Sequence, residues 1–532
     1  YAYYTPPEQK LHHDKEMAEA AFAAAERAAA NYNNSVVSPD EYSGITELLE
    51  KMSLCIMLNT FTELCSDSNE LSVEQLIQSG KVMPKYKKLM YQWADSLVKY
   101  GYFDKIGSMY HKAQDFEKND NKKYLEARKY PHIGSWEGSL EFLLQSEEHM
   151  TEILQAEVDP LTILFPEGNI DRAENFYRYN PVAEYNNNMI AAAVAAYADS
   201  NHGETIRVLE FGAGTGGTTA EVLKKLKGKK FEYTFTDLSS FFFKKAEKSF
   251  GSDVPLKYGI YNIDDYPVIQ GYPYGSYDII IGANVLHDAK YLDKTIGYMY
   301  SMLKKDGMLM ILELTKNKLF HKVSIGLIEG FSGYADDRVI QNEPLISAEQ
   351  WKERMDRCGF SKIEYFPSEN SEASAFEQNV VLAYAGRNTE YINSNVISEE
   401  LKKGLPSYMI PSGIYPLEKL PLTVNGKIDK ASLPIPTDKA EETEYIAPTN
   451  SLEELVQKVV CDILEQEKIS VETDLFECGC DSLKAIQIVS SLGAEGYTIS
   501  LKSIYETPTI RGIAWNLTED TEGEQKESAS DY

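Results

Sequence analysis

The sequence predicts a multidomain chain: a helical N-terminal region, an α/β core with helices on both faces of one sheet, and a small helical bundle near the C-terminus. Three observations carry this expectation. Apolar residues recur at helical spacing over the first two hundred residues, short β-rich runs alternate with helical runs from Ile206 to Tyr384, and residues 446–517 form one compact set of amphipathic segments.

Taken in order, residues 16–30 read as an Ala-rich helix through Met17, Ala18, Ala21, Phe22 and Ala25. Residues 39–165 read mostly as helix, with periodic sets at Leu48, Leu49, Met52 and Ile56, at Leu89, Met90, Trp93 and Leu97, and at Trp136, Leu140 and Leu143. A further strong helix lies within 171–199, around Met189 to Val194. Strands are then expected at 206–211, 231–236, 277–282, 308–314, 363–366 and 380–384, and helices at 219–226, 242–250, 294–303 and 351–358. This alternation predicts a Rossmann-like sheet, and the helices ahead of it read as a lid. Residues 387–440 are punctuated by Pro and Gly and differ from both neighbours. In the last unit, Leu452, Leu455, Val456, Val459, Val460, Ile463 and Leu464 make one amphipathic helix, Ser482 to Leu492 a second, and Ile513, Ala514 and Leu517 continue a last one.

Length and composition narrow the classes. A chain of 532 residues has room for two to four domains, and 43% hydrophobic content supports large cores. The net charge of −29 argues against a nucleic-acid partner and against an anionic membrane surface. No apolar run approaches the roughly eighteen residues that a membrane span needs, and no signal peptide is visible. Six scattered cysteines read as reduced thiols in a cytoplasmic protein, and the histidines show no metal spacing. The chain begins Tyr-Ala-Tyr-Tyr, which reads as a piece of a longer polypeptide. Residues 521–532 read as an acidic tail.

Two motifs carry chemistry. The first is Val208-Leu-Glu-Phe-Gly-Ala-Gly-Thr-Gly-Gly-Thr218, which follows a strand and opens a helix. Gly212, Gly214 and Gly216 allow a sharp turn and close approach of backbone to a ligand. Glu210 precedes the loop as an acceptor, Asp237 ends the next strand where a carboxylate holds ribose hydroxyls, and Asn284 follows the 277–282 strand at the cleft. The second is Asp474 to Ile488, with Asp481-Ser482-Leu483 at a loop-to-helix junction. A helix cap is the plain reading of that tripeptide, but a helix start also tolerates a phosphodiester on Ser482.

These motifs resemble known families. The segment around Ser482 resembles the peptidyl carrier domain of nonribosomal peptide synthetases, which implies a 4′-phosphopantetheine arm on Ser482. The glycine loop, with Tyr233-Thr-Phe-Thr-Asp-Leu-Ser-Ser240, Gly282-Ala-Asn-Val-Leu-His287, Ile163-Leu-Phe-Pro-Glu-Gly168 and Tyr177-Arg-Tyr-Asn-Pro-Val-Ala-Glu-Tyr185, resembles class I carbon methyltransferase domains of polyketide and peptide synthetases. That resemblance covers roughly 155–386 and implies S-adenosylmethionine as methyl donor, with Asn262 and Ile263 beside the adenine. Asn262 stands where such domains often carry Asp. It also implies a catalytic dyad of His287 as base and Glu329 as its carboxylate partner. Leu405 to Pro411 and Leu420 to Lys430 look like the end of an adenylation domain's small α+β subdomain, with Lys427 the matching lysine and Ala2 to Pro6 a broken-off strand of it.

The expected division is therefore 1–10 adenylation strand, 11–200 helical lid, 201–386 Rossmann-like methyltransferase core, 387–440 adenylation remnant, 441–520 four-helix carrier bundle, and 521–532 tail. The expected reaction moves a methyl group from S-adenosylmethionine to the α-carbon of an aminoacyl or thiazolinyl thioester on Ser482. A cyclised residue is favoured, because a free α-amine competes as nucleophile. Epimerisation by the same base, nitrogen or oxygen methylation, and a non-enzymatic platform stay open as alternatives. Expected partners are the carrier-bound acyl thioester, a phosphopantetheinyl transferase and other synthetase modules, including the large adenylation subdomain and cyclisation or condensation domains.

Overall fold

A parallel strand covered on both faces has no solvent side, so its sequence must be apolar nearly throughout. The Tyr277–Ala283 run meets that demand: Ile279 and Ile281 enter one core and Ile280 the other. The computed structural model describes residues 2–4, 15–32, 37–65, 68–113, 130–166, 173–174, 179–251, 254–328, 330–387, 397, 401, 411, 414–416, 428, 445–464, 466, 468–476, 478, 480 and 482–519. Within it a seven-stranded sheet forms from β1 (Ile206–Phe211), β2 (Phe231–Asp237), β3 (Leu256–Ile260), β4 (Tyr277–Ala283), β5 (Leu303–Leu314), β6 (Lys362–Phe366) and β7 (Gln378–Tyr384). The order across the sheet is β6-β7-β5-β4-β1-β2-β3. Pairs among β1 to β5 are parallel, and β7 runs antiparallel to both β5 and β6. Strand β3 was not expected from the sequence. It is an edge strand with no fully buried residue, so it lacks the apolar run that marks the others.

The chain leaves β1 toward β2 on one side and later returns to β4 on the other. The β1/β4 boundary is thus the point where strand order reverses, and the loops at the carboxyl ends of these strands open a crevice there. Helices Glu16–Ala30, Pro181–Asp199 and Gly217–Leu226 cover one face through Ala21, Ala25, Ile190, Val194 and Val222. Helices Leu292–Met302 and Ala348–Arg357 cover the other through Ile296, Met299, Trp351 and Met355.

The N-terminal region corrects one expectation. Helices Pro39–Cys65, Lys87–Lys99 and Glu137–Glu148 are present, but Glu70–Leu71, Phe103–Ile106 and Met109–Lys112 form a three-stranded antiparallel sheet inside the span read as mostly helical. Gly107, at φ +63°, and Ser108 close a two-residue hairpin, a turn signal that helical periodicity on either side obscures. This lobe has its own core around Ile56, Phe61, Leu89 and Trp93. It reaches the sheet's carboxyl edge, where Trp93 Nε1 donates to the Lys322 carbonyl at 3.1 Å.

Near the C-terminus, helices Ser451–Leu464, Ser482–Ala494, Leu501–Glu506 and Ile510–Asn516 enclose Val456, Val460, Leu475, Ile488, Leu492 and Ile513. Leu483 and Ile486 turn away from that core and join the apolar cluster of the N-terminal lobe. The Ser482–Ala494 helix there meets the Pro160–Leu164 helix. Separately, Ala2–Tyr4 pairs in parallel with Ile414–Pro416.

One glycine shows how closely the sheet is packed at the crevice. Gly282 on β4 pairs with Phe211 on β1, and a Cβ on Gly282 would sit 2.0 Å from the Phe211 ring. Gly282→Ala is expected to destabilise the domain by about 1–3 kcal/mol through overpacking. A thermal unfolding midpoint equal to that of the unsubstituted chain would contradict this account.

Candidate active site

A cavity of about 690 Å³ opens at the carboxyl ends of β1, β2, β4 and β5. Its floor follows β1, where Gly212, Gly214 and Gly216 have φ of +58°, +50° and +76°; Gly212 and Gly214 line the cavity, whereas Gly216 faces the Phe250 ring and does not. At Gly212 a Cβ would also strike Val285, at 2.4 Å. Gly214 lines the cavity, and a Cβ there would meet only the Gly212 carbonyl oxygen, at 3.9 Å, so a ligand can approach its backbone. Asp237, at the end of β2, lines the cavity and pins the loop: its Oδ2 accepts from the Gly214 amide at 2.9 Å and its Oδ1 from the Ser239 amide at 3.0 Å. Glu210 is buried on the cavity wall, and its Oε2 accepts from Thr219 Oγ1 and Tyr233 Oη, both at 2.5 Å. Burial pushes the Glu210 carboxyl up to about 7, partly opposed by those two hydrogen bonds.

Asn284, just past β4, adopts the left-handed conformation at φ +55° and lines the cavity. Its Oδ1 is buried without a hydrogen-bond partner among the described residues. A strained backbone and an unsatisfied acceptor together are the mark of a ligand-binding position. Asn262 and Ile263, expected at the adenine, are not among the residues lining the cavity. The Asn262 side chain is engaged locally, donating to Asp265 Oδ2 and accepting from the Asp264 amide, while Ile263 packs against the core of the other sheet face.

His287 sits on the short turn Leu286–Asp288 after Asn284, buried at 5% exposure and lining the cavity. Its Nδ1 lies 2.7 Å from Oε2 of Glu313, a fully buried carboxylate near the end of β5. The other oxygen, Glu313 Oε1, accepts from the amides of Val285 and Leu286 at 3.1 and 2.8 Å. An ionised carboxylate is acceptor-only, so this contact assigns a proton to Nδ1, and in the neutral ring Nε2 carries the lone pair. Burial pulls the imidazole's affinity for a second proton down. The Glu313 and Asp288 carboxylates outweigh burial and push it up to about 9. Arg338, itself buried, donates to the backbone carbonyls of His287 and Ala289 and to Asp336, which fixes the turn.

Glu329, expected to partner His287, lies outside the described residues, as do Lys427, Asp481 and Tyr177. The partner seen here, Glu313, was missed by sequence reasoning, as were Arg338 and a second cavity histidine, His321. A signal for Glu313 was available: an acidic residue inside an otherwise apolar parallel strand is almost never buried without a partner. Ser482 and Leu483 also line the cavity. Ser482 is the first residue of its helix, and its Oγ accepts from Tyr505 Oη at 2.8 Å. The Tyr505 ring stacks on Phe476 at 5.4 Å and 7°.

Comparisons with known proteins bear on the two domains that meet at this cavity. A family model described as a methyltransferase domain matches residues 209–309, and one described as a phosphopantetheine attachment site matches 454–514. Polyketide synthase PksM of Bacillus subtilis is 29% identical over 464 residues, covering 84% of this chain and 10% of its own. Pyochelin synthetase PchF of Pseudomonas aeruginosa is 26% identical over 389 residues, covering 71% of this chain and 21% of its own. This chain thus spans about a tenth to a fifth of the length of these relatives. In fold, it is similar to the CurJ carbon methyltransferase, with a TM-score of 0.63 at 24% identity over 72% of this chain and all of that one.

The chain therefore carries a methyltransferase domain of class I-like α/β fold followed by a carrier domain, and its cofactors are S-adenosylmethionine and 4′-phosphopantetheine. The residues present fit the first: left-handed glycines, the Asp237 carboxylate and the orphaned Asn284 Oδ1 suit a nucleoside with a cationic end. Gly214→Val places a β-branched residue at positive φ facing the cavity. It is expected to weaken S-adenosylmethionine binding by about 10–100-fold, measured by calorimetry, and an unchanged affinity would refute the assignment.

The His287–Glu313 pair also makes a pH prediction. The folded imidazole holds its proton up to about 9, against about 6.5 when unfolded. Its stabilisation is complete below the unfolded value and is lost as pH rises through the folded one. The unfolding midpoint should fall between pH 6.5 and 9, and Glu313→Gln should flatten that fall. Parallel profiles for the two chains would count against the pair.

Proposed function

We propose that this chain methylates the α-carbon of an acyl thioester carried on Ser482. The observation that carries the reading is the meeting, in one cavity, of the glycine loop, the Glu313-oriented His287 and the carrier serine. Carbon methylation beside a thioester requires removal of a weakly acidic proton, which a nitrogen or oxygen acceptor does not.

S-adenosylmethionine supplies an electrophilic methyl group on a sulfonium. The side chains supply the rest. Glu313 holds the Nδ1 proton, so Nε2 of His287, once it has given up its own proton, is the base that stores the α-proton while Glu313 offsets the imidazolium charge. The amides of Val285 and Leu286 hold the carboxylate in place, and Arg338 keeps the turn from shifting. Because Glu313 and Asp288 raise the imidazole to about 9, the resting ring is protonated near neutrality. Turnover is therefore expected to rise with pH toward 9. Ser482, at the start of its helix, presents the arm to the same cavity, and the lobe carrying Pro160–Leu164 acts as a lid over it.

In this reading the acyl group is aminoacyl or thiazolinyl, and Ala2–Tyr4 with Ile414–Pro416 and the 387–440 segment are the remnant of an adenylation small subdomain. The parallel pairing of those two strands supports it. The domain division given above, a cytoplasmic site, a phosphopantetheinyl transferase and neighbouring synthetase modules belong to the same proposal. A β-ketoacyl thioester is the second reading, favoured by the similarity to a polyketide synthase over 84% of this chain. The β-carbonyl would acidify the same carbon.

The test is intact-protein mass spectrometry of chain loaded on Ser482 with each thioester class, with and without S-adenosylmethionine. A gain of one methylene is expected, reduced about 10²–10⁴-fold in His287→Ala. Deuterium uptake without that gain would mean epimerisation. Full methylation in His287→Ala would mean transfer to nitrogen or oxygen.

A further inference from the structure

A second histidine reaches the same cavity and has no role in the chemistry so far. His321 belongs to the short helix Leu319–Lys322 after β5, lines the cavity and is 4% exposed. Its Nδ1 is fully buried and has no hydrogen-bond partner among the described residues. A buried polar atom without a partner is rare and calls for a ligand or a function.

The surroundings fix the ring's state and position. Phe320 packs on it with ring centroids 4.1 Å apart. The Leu319–Lys322 turn is anchored from the lobe by Trp93 Nε1 on the Lys322 carbonyl and by Lys322 Nζ, which reaches Glu343 and Ser96. Burial, then the charges of Lys318, His287 and Lys322, lower the imidazole's proton affinity to about 3, so the ring is neutral at any working pH. Two histidines in one cavity are thus driven in opposite directions, one toward the cation and one away from it. Such a split separates a proton-transferring group from a group that must donate without titrating.

We propose that His321 is a second catalytic residue, a neutral imidazole whose Nδ1–H donates to the carbonyl oxygen of the tethered acyl thioester. The proposal rests on the α-carbon reading above. When His287 Nε2 takes the α-proton, the C–H electron pair moves into the C–C bond and charge develops on that oxygen. His321 holds the charge by a hydrogen bond and transfers no proton. A donor already fixed in a dry site stabilises such charge without reorganising.

The experiment uses the full chain loaded on Ser482 with an acyl thioester. It measures α-deuterium exchange, methyl transfer and S-adenosylmethionine affinity. His321→Leu should slow both exchange and transfer by about 10²–10³-fold, the usual effect of losing one such donor, with cofactor affinity unchanged. His321→Asn, whose amide can donate from near the Nδ1 position, should recover part of both rates. Full exchange and transfer rates in His321→Leu, with His287→Ala inactive, would overturn the role of His321 and leave the proposed function standing. Full rates in His287→Ala would instead remove the reading beneath it. If His321→Leu does not fold, ring ¹⁵N spectra of the unsubstituted chain decide. Loading with a non-enolisable acyl analogue should shift the His321 Nδ1 resonance, and no shift would overturn the proposal.

Discussion

A carboxylate with no exposure to water has to be held by other groups or lose its charge, and Glu313 is held on both oxygens. Two backbone amides and one imidazole satisfy it. The amides belong to the turn that carries His287, so the same contact that keeps the charge buried also aims the base. Because Glu313 ends β5 and the turn follows β4, the parallel pairing of these strands sets the distance between them. Substituting either partner leaves the other buried and uncompensated, which is why the pair behaves as one unit.

The rest of the cavity follows from the same edge of the sheet. The glycines follow β1, Asp237 ends β2, Asn284 follows β4 and the Leu319–Lys322 turn follows β5. Each group comes from a different strand, and the spacing of strands in a parallel sheet holds them a few ångströms apart around one opening. Residues of the lobe, among them Tyr42, Trp136 and Pro160, line the opening from the other side. Its own core is continuous with residues of that edge, including Ala213, Phe242 and Leu327, so the roof and the floor of the cavity are parts of one packed body.

Much of this was legible in the sequence, for physical reasons that differ by residue. The buried parallel strands announce themselves by unbroken apolar runs, and Gly212, Gly214 and Gly216 by a spacing that only a tight strand-to-helix turn needs. His287 and Ser482 were singled out through their motifs, and the structure places both on the cavity. Edge strand β3 and the small sheet closed by Gly107-Ser108 were not, because edge strands need little apolar content and short hairpins are masked by flanking helices. Glu313 was passed over because strand patterning ignores the identity of the one polar residue in the run. Asn262 was named through the family resemblance, and in the structure its side chain is engaged with Asp265 and Asp264. His321 has no motif at all; only burial shows that its ring is stranded.

The small apolar face of Leu483 and Ile486 has a kinetic meaning. Even with Leu501 beside them, these side chains make a face far smaller than a stable interface between separate proteins needs. A partner joined through the same backbone is present at an effective concentration of the order of millimolar, whatever the dilution of the whole. Encounter is then governed by chain length and not by abundance, and a weak contact lets the two surfaces part as readily as they meet.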